Sequence, residues 1–435
     1  MTANIETIER ERGLVRALSP WGLGAAIANM IIGGGIFLLP AKMAAAVGPA
    51  APFYYIACAV AVGAVGLCFA EAGSRVAVSG GVSGCVESAF GRYVGYITAV
   101  MLWLGAGLAA AGIGAGVADA VARVIPTFAQ PLWRDAFIVV LFATLAAINI
   151  GGVRAGGGLV LVTMTLKLVP LLVLVVVGGL HVDPVQLSVG APGKADVGRA
   201  MLLGVFAFMG METALGVSGE VRKPERNVPL GLIGALLAVT VLYILIQLTA
   251  EGLLGPALAT SKTPLADAMG KVSPTLAGLL LVGGAVSMLG YLTSDILSAP
   301  RILFGMGRDG FLPSVLAKVH PKARTPYVAI IVHVVLVCIL ALTGAFEPLA
   351  VLSTLVVVPV YMAGCAAAVV LQRRGVAEEG KPLNLAFTPI AATVGIVSMI
   401  WLAFQGTWQE ITAVVVTLVV FSLIYVFALR RKTPA

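Results

Sequence analysis

The chain has 435 residues, of which 60% are hydrophobic and only 11% charged, and its mean hydropathy is +1.04. Because soluble globular domains carry about 25% charged residues, this composition excludes a soluble protein and indicates a membrane protein. The net charge of +8 comes from residues scattered over loops rather than clustered on one face, which argues against a nucleic-acid partner.

The chain contains twelve apolar stretches, most of them long enough to cross a bilayer, for which about 20 residues are needed. They lie near 17–47, 52–75, 94–124, 135–150, 157–180, 199–219, 228–255, 273–305, 327–344, 349–371, 387–405 and 410–429. We expect an all-α integral membrane fold with one transporter-sized domain over 1–435. Helices 1–7 would occupy 17–255 and helices 8–12 would occupy 273–429.

The distribution of positive charge predicts the orientation of these helices. Twenty Lys and Arg residues fall in the loops and termini of one side and seven in those of the other, while Lys167 lies inside a span. Lys and Arg are enriched in cytoplasmic loops. We therefore expect a multi-pass protein of the inner (plasma) membrane with both termini in the cytoplasm. The polar segment 1–16 is then cytoplasmic. The first span is too long, and its charged flank too extensive, for a cleavable signal peptide.

Two of the predicted helices are interrupted near their middles. Gly33-Gly34-Gly35 interrupts the first span, and Met209-Gly210-Met211 interrupts the sixth, directly before Glu212. A pair of broken apolar helices at corresponding positions of two halves is typical of a transporter's binding site at the bilayer midplane. The spacing predicts a five-plus-five inverted repeat with two further helices. Unwound backbone persists at membrane depth only where it lines a cavity, so the two breaks should face each other.

The chemistry of the breaks predicts the kind of ligand. Free N–H groups at the start of a half-helix favour an anion such as a carboxylate. Free carbonyl groups on the other side of a break favour an ammonium group. A facing pair of breaks therefore suits a zwitterion, such as an α-amino acid.

Several segments resemble motifs of the amino acid–polyamine–organocation superfamily. They are Ile32 to Pro40 in the first span, Ser79-Gly80-Gly81 with Phe90-Gly91, Phe206 to Glu212, Glu220 to Pro229, and Met306 to Pro313. The match of Glu220 to Pro229 to the family's cytoplasmic loop E-x-x-[KN]-P-x-R-N-x-P is the most specific. The resemblance runs from about residue 17 to 430. It implies twelve transmembrane helices, with helices 1 and 6 broken, in the five-plus-five inverted arrangement.

The resemblance also implies which residues bind substrate. The positions around the breaks are Ile31, Gly33, Gly34, Gly35, Phe206 and Met209. The glycine backbone would bind a carboxylate, the carbonyls near Ile31, Phe206 and Met209 would bind an amine, and the Phe206 ring would act as a gate. Gly34 stands where the family usually has Ser, so one hydroxyl donor is absent. Ala110 replaces an asparagine of the arginine–agmatine antiporter, which argues against that specificity.

Two charged residues inside spans are predicted to take part in coupling. Lys167, in the fifth span, stands where several members of the superfamily carry a lysine in place of a sodium ion. Its ammonium group could replace the ion permanently or by gaining and losing a proton, or it could be a fixed charge that holds neighbouring helices together. Glu212 could change protonation during transport. The structural alternative, which we favour, is that it supplies partners for the backbone at the break in helix six.

Asp295, in the eighth span, is a candidate substrate residue. By position it falls about where the arginine–agmatine antiporter has a substrate-facing tryptophan, and a free carboxylate there would select a cationic side chain. The alternative is an ion pair with Arg301 or Lys167. The sequence leaves both open.

We therefore expect an amino acid permease that works by alternating access, with coupling to protons or to exchange. The alternative within transport is an antiporter of basic amino acids or polyamines. From another class comes an ion channel or receptor-like protein, which the two isolated breaks do not favour because a channel needs pore-lining rings or a filter. The three histidines and five cysteines have no catalytic or metal-binding spacing. We expect no enzyme activity, no cofactor and no metal, and the sequence is compatible with a homo-oligomer.

Overall fold

A computed structural model of the chain describes residues 19–76, 81–152, 157–187, 196–214, 224–378 and 382–432. Every regular element in these ranges is helical, and they contain no strand. The all-helical fold class predicted from composition is therefore confirmed for the described part of the chain. The motif residues Ser79, Gly80 and the segment 220–223 lie outside the described residues.

The first half of the chain forms nine α-helices within the described ranges. They are α1 Pro20–Ile31, α2 Leu39–Val47, α3 Ala51–Gly73, α4 Gly81–Phe90, α5 Arg92–Val124, α6 Pro131–Gly151, α7 Gly157–Val173, α8 Val197–Phe208 and α9 Met211–Ala214. A short 3₁₀ turn, Gly35–Phe37, separates α1 from α2, and a π-helical turn, Leu174–Gly178, continues α7. The predicted short span at 135–150 is a full helix of 21 residues, α6.

The second half contains seven further α-helices within the described ranges. They are α10 Pro224–Leu254, α11 Pro264–Gly270, α12 Pro274–Arg308, α13 Tyr327–Thr343, α14 Phe346–Arg373, α15 Thr388–Ala403 and α16 Trp408–Lys432. The helix α11 was not predicted; it lies in the connection 255–272. Several helices begin with a proline after a polar cap. For α12, the Ser273 side chain accepts a hydrogen bond from the Leu276 N–H and Pro274 opens the first turn, which satisfies one of the free N–H groups of a helix start.

Seven helical segments of the described chain are long and apolar enough to cross a membrane. They are Leu39–Gly73, Arg92–Val124, Pro131–Gly151, Arg226–Thr260, Pro274–Arg308, Phe346–Arg373 and Trp408–Phe427. Shorter apolar helices cover Thr165–Gly178, Val197–Phe208, Tyr327–Thr343 and Thr388–Ala403. The predicted membrane character of the chain agrees with this finding.

Glycines let α5 pack closely against its neighbours in the core. A Cβ at Gly105 would lie 2.4 Å from a methyl carbon of Val357 in α14, and one at Gly114 would lie 2.6 Å from the ring of Phe142 in α6. Both distances are shorter than any normal carbon–carbon contact. These glycines therefore serve helix packing, as small residues do in membranes.

Ion pairs connect the two broken helices to the surrounding helices. Arg199, in the first turn of α8, donates from Nε to Glu347 of α14 at 3.1 Å and from a terminal nitrogen to Glu410 of α16 at 2.8 Å. Glu347 also lies 3.6 Å from Lys42 of α2. One cluster of charges therefore connects α2, which follows the first break, and α8, which precedes the second, to α14 and α16.

Candidate functional site

The break after α1 leaves one backbone N–H group without a hydrogen-bond partner among the described residues. The Gly33 N–H donates to the Ile31 carbonyl at 2.7 Å, and the Phe37 N–H donates to the Gly34 carbonyl at 3.2 Å. Gly34 is buried, and its own N–H has no hydrogen-bond partner among the described residues. A buried N–H without a partner is rare in folded proteins. This group is a suitable donor for an anionic ligand.

The second break, between α8 and α9, requires glycine. Met209 is extended, with φ −63° and ψ 153°, and Gly210 has φ +107°, a conformation that L side chains rarely adopt. A Cβ at Gly210 would also lie 2.9 Å from the Met30 carbonyl oxygen. The backbone of the second break therefore touches the last turn of α1, and the breaks face each other as the sequence predicted.

Glu212 closes the second break. Its two carboxylate oxygens accept hydrogen bonds from the Gly210 N–H at 3.1 and 3.0 Å, and one of them accepts from the Tyr361 hydroxyl at 3.1 Å. The carboxylate thus satisfies backbone that the helix leaves free and connects α9 to α14. This geometry agrees with the structural interpretation of Glu212.

Tyr243 of α10 connects the two breaks directly. Its hydroxyl lies 3.1 Å from the carbonyl oxygen of Ile31 and 3.2 Å from that of Ala207. The side chain is 1% exposed. Because both carbonyls belong to the last turn of a half-helix, a single hydroxyl serves acceptors that neither helix can satisfy internally.

Side chains from α12 and α8 cover the three glycines of the first break. A Cβ at Gly33 would lie 3.3 Å from the ring of Tyr291, and one at Gly34 would lie 2.5 Å from the Met288 side chain. At Gly35 it would lie 3.0 Å from the Phe206 ring, which itself packs edge-to-face on Phe346 with ring centroids 5.8 Å apart. Phe206 therefore covers the glycine segment, as a gate residue would.

Lys167 binds the backbone of α1 just before the break. Its ammonium group donates to the Asn29 carbonyl at 2.5 Å, and the residue is 8% exposed. In a continuous helix the Asn29 carbonyl would accept from the Gly33 N–H, which here bonds to Ile31 instead. A cation at the carboxyl end of a helix also interacts favourably with the helix dipole. Lys167 thus takes the place of the missing helical bond.

Asp295 pairs with a histidine rather than with either partner that the sequence offered. Its carboxylate lies 2.8 Å from His333 Nε2, and the Trp103 indole N–H donates to His333 Nδ1 at 3.0 Å. Arg301 bonds instead to the Leu297 carbonyl, and Lys167 to that of Asn29. The structure therefore does not show the ion pair with Arg301 or Lys167 that was one of the two alternatives.

The hydrogen bonds fix the protonation of this buried cluster. An indole N–H can only donate, so Nδ1 of His333 must be an acceptor and the ring proton must lie on Nε2. That proton is donated to Asp295, which leaves His333 neutral and the aspartate as the acceptor. Trp103, Asp295 and His333 are 6%, 6% and 0% exposed. The cluster connects α5, α12 and α13.

Within the described residues, no group of three or more His, Cys, Asp or Glu side chains could hold a metal ion. The cysteines are free, and Cys58, Cys68, Cys85 and Cys365 are buried. The two facing breaks, closed by hydrogen bonds, provide polar groups that can bind a ligand.

Residues 18–429 match the family described as amino acid permease. The chain belongs to the amino acid permease family. Its relatives are transporters and permeases rather than enzymes, and the chain is a member of a family of multi-pass membrane proteins that transport amino acids.

Three relatives from Bacillus subtilis illustrate the range of the family. The serine/threonine exchanger SteT is 28% identical over 407 residues, which covers 89% of this chain and 90% of that protein. The branched-chain amino acid permease BcaP is 26% identical over 458 residues, covering 97% and 94%. The methylthioribose transporter is 27% identical over 337 residues, covering 73% of each.

Sequence reasoning missed several residues that complete the site. Tyr243, Tyr361 and Met288 contact the breaks, and Trp103 and His333 hold Asp295. The available signal was weak: a polar or aromatic group in an otherwise apolar span indicates that it has a partner, but not which one. His333 stood out as the histidine within a span, yet no neighbour in the sequence indicates Asp295.

Proposed function

We propose that the chain is a secondary active amino acid transporter of the plasma membrane that works by alternating access. Its architecture would be twelve transmembrane helices in the five-plus-five inverted arrangement, with both termini in the cytoplasm. Seven long apolar helical segments and four shorter apolar helices in the described chain support this architecture, and the excess of Lys and Arg on one side supports the orientation.

The observation that carries the proposal is that the Gly34 N–H has no partner among the described residues, while the break between α8 and α9 contacts the last turn of α1. In this proposal the substrate carboxylate binds the backbone of Gly33, Gly34 and Gly35. The ammonium group binds carbonyls near Ile31, Phe206 and Met209, and Phe206 closes over the bound molecule. Tyr243 holds the Ile31 carbonyl until the substrate amine replaces or supplements its hydrogen bond.

We favour a neutral α-amino acid as the substrate. The carboxylate of Asp295 accepts from His333 in a buried cluster with Trp103, so its position is explained without contact to a cationic side chain. The names of two relatives, a serine/threonine exchanger and a branched-chain amino acid permease, are consistent with this class. Lys167, bonded to α1 where a coupling ion would bind, supports sodium-independent transport by exchange or with protons.

The proposal is tested by reconstituting the purified protein in proteoliposomes and measuring uptake of a radiolabelled panel. The panel contains serine, leucine, arginine and putrescine, each with and without a pH gradient and with internal unlabelled substrate. Thermal shift in detergent provides a binding test with matched ligands: serine, ethanolamine, which lacks the carboxylate, and N-acetylserine, which lacks the ammonium group. Stabilisation by serine alone supports the zwitterion site. Equal stabilisation by ethanolamine would contradict the role of the glycine backbone.

A further inference from the structure

Glu251 is a buried acid to which the proposed transport site assigns no role. It lies near the end of α10 and is 4% exposed. One carboxylate oxygen, Oε1, accepts a hydrogen bond from the Gln247 amide at 2.8 Å. The other oxygen, Oε2, is buried and has no hydrogen-bond partner among the described residues. When ionised, the Glu251 carboxylate would carry a full negative charge. Among the described residues it would accept one hydrogen bond, from the neutral Gln247 amide.

The amide that binds Glu251 also touches the broken first helix. The Gln247 amide nitrogen donates to the Pro40 carbonyl of α2 at 3.2 Å, and its oxygen accepts from the Tyr55 hydroxyl at 3.4 Å. Gln247 is 0% exposed. The Gln247 amide thus connects the Glu251 carboxylate by hydrogen bonds to α2, the half-helix that follows the glycine break.

Charged groups on the neighbouring elements are engaged elsewhere. On α2, Lys42 pairs with Glu347, and on α11, Asp267 pairs with Arg123. Asp183 is exposed; its backbone N–H donates to the Gly252 carbonyl, and its carboxylate accepts from the Val185 N–H. His181, also exposed, contacts the Val177 carbonyl.

Tyrosines are the remaining titratable groups beside Glu251: Tyr55 of α3 packs its ring on Tyr243 of α10, with centroids 5.8 Å apart. Neither of them can supply a positive charge. No cation therefore pairs with Glu251 in the part of the chain that the structure describes.

An ionised carboxylate buried with one neutral hydrogen bond is far more costly than the neutral acid. Protonation at Oε2 replaces a buried charge by a neutral hydroxyl and leaves the Gln247 bond to Oε1 intact. We propose that Glu251 is a proton-binding site that holds its proton in this closed arrangement. It releases the proton when α2 moves away with Pro40 and water reaches the carboxylate. This inference rests on the proposed transport function, since the release requires alternating access.

Infrared spectroscopy of the purified protein tests the site independently of transport. The carbonyl stretch of a protonated carboxylic acid is recorded as the pH is raised, in the wild type, in Glu251→Gln and in Asp183→Asn. Asp183→Asn is a matched control because it removes an acid from an exposed position on the adjacent turn. We expect the band of a protonated acid at neutral pH to be lost in Glu251→Gln and retained in Asp183→Asn. A band that is unchanged in Glu251→Gln overturns the proton site.

Transport of radiolabelled serine tests the coupling. We expect Glu251→Gln to exchange internal for external serine at the wild-type rate, while its net uptake is equal with and without an inward proton gradient. A wild type that does not respond to the gradient, or a Glu251→Gln variant that responds as the wild type does, overturns the coupling. If the wild type transports no amino acid, the transport proposal fails while the infrared test still decides the proton site. Should Glu251→Gln not fold, Glu251→Asp keeps an acid in place and must shift the band; an unshifted band overturns the site.

Discussion

The Tyr243 hydroxyl lies 3.1 Å from the carbonyl oxygen of Ile31, the last residue of α1. The same hydroxyl lies 3.2 Å from the Ala207 carbonyl in the last turn of α8. The helix α10 thus joins the two broken helices at their ends. Both breaks would have to move for alternating access. The Tyr243 hydroxyl contacts both of the half-helices that end at these breaks, next to the proposed binding site.

We expect Tyr243→Phe to lower both stability and transport. The substitution keeps the ring but leaves two buried carbonyls without their shared donor, and such hydrogen bonds in membrane proteins contribute about 1 kcal/mol. Thermal unfolding in detergent and serine uptake would measure the two effects. The matched control is Tyr96→Phe: Tyr96 is 3% exposed and its buried hydroxyl has no partner among the described residues, so its removal should be neutral or stabilising. Equal behaviour of the two variants would contradict the proposed link.

The three glycines of the first break should differ in their tolerance of a methyl group. A Cβ at Gly34 meets the Met288 side chain at 2.5 Å and its backbone Cα at 2.9 Å, so Gly34→Ala should destabilise the fold. At Gly33 the nearest atom is a Tyr291 ring carbon at 3.3 Å, and a small ring movement suffices. Gly33→Ala should therefore fold but bind serine more weakly, because the methyl group enters the proposed carboxylate site.

Gly63→Ala provides the control for the glycine series. Its Cβ would lie 3.6 Å from Leu236, an ordinary contact, so melting temperature and serine affinity should stay at wild-type values. Thermal unfolding with and without serine separates the two effects. Wild-type serine affinity in Gly33→Ala would argue against carboxylate binding at the glycine backbone.

Lys167→Ala should impair transport more than folding. The substitution removes the donor of the Asn29 carbonyl and leaves a buried acceptor unpaired, at a cost of about 1–3 kcal/mol. It also removes the positive charge that would replace a coupling ion. Wild-type uptake should be the same in sodium and in choline buffers, and the variant should show strongly reduced net uptake. Lys262→Ala, at an exposed position, is the control. Strict sodium dependence of the wild type would rule out the ion-replacement role.

The positions of the two breaks could be predicted from the sequence, whereas the residues that close them could not. Gly33-Gly34-Gly35 and Gly210 interrupt apolar runs, and the physics of unwound backbone in a bilayer makes such interruptions informative. The closing residues Tyr243, Tyr361 and Met288 come from helices far away in the sequence. Their partners depend on how each helix is rotated about its axis.

The sequence of an apolar helix poorly specifies how that helix is rotated about its own axis. A helix of a soluble protein shows its buried face as an apolar stripe, whereas these helices are apolar on all sides. The sequence neighbours of Met288 and Asp295 differ little, so they do not indicate which way either side chain faces. The sequence consequently placed Asp295 near the site but could not orient it. Its true partner, His333, is 38 residues away on a helix whose facing side nothing in the sequence marks.

Asp295→Asn distinguishes a structural carboxylate from one that selects substrate. The amide keeps an oxygen that can accept from the His333 Nε2–H, and the Trp103 bond to Nδ1 is unaffected. We expect a loss of about 1 kcal/mol in stability and proportional changes in the uptake of all substrates, so the ratio of serine to arginine uptake stays at its wild-type value. A selective loss of arginine uptake, with serine uptake retained or increased, would show instead that the carboxylate reads the substrate side chain.

A double-mutant cycle with His333→Leu tests the same question by asking whether the effects of the two substitutions add. If Asp295 acts through His333, either substitution alone removes the interaction, and the effects of Asp295→Asn and His333→Leu on melting temperature will not add. If Asp295 instead contacts substrate, the two variants act on different processes and their effects on arginine uptake will add. The cycle is measured by thermal unfolding and initial uptake rates of the wild type, both single variants and the double variant. Because His333 accepts from Trp103 and donates to Asp295, the histidine stays neutral in the wild type, and we expect the non-additive outcome.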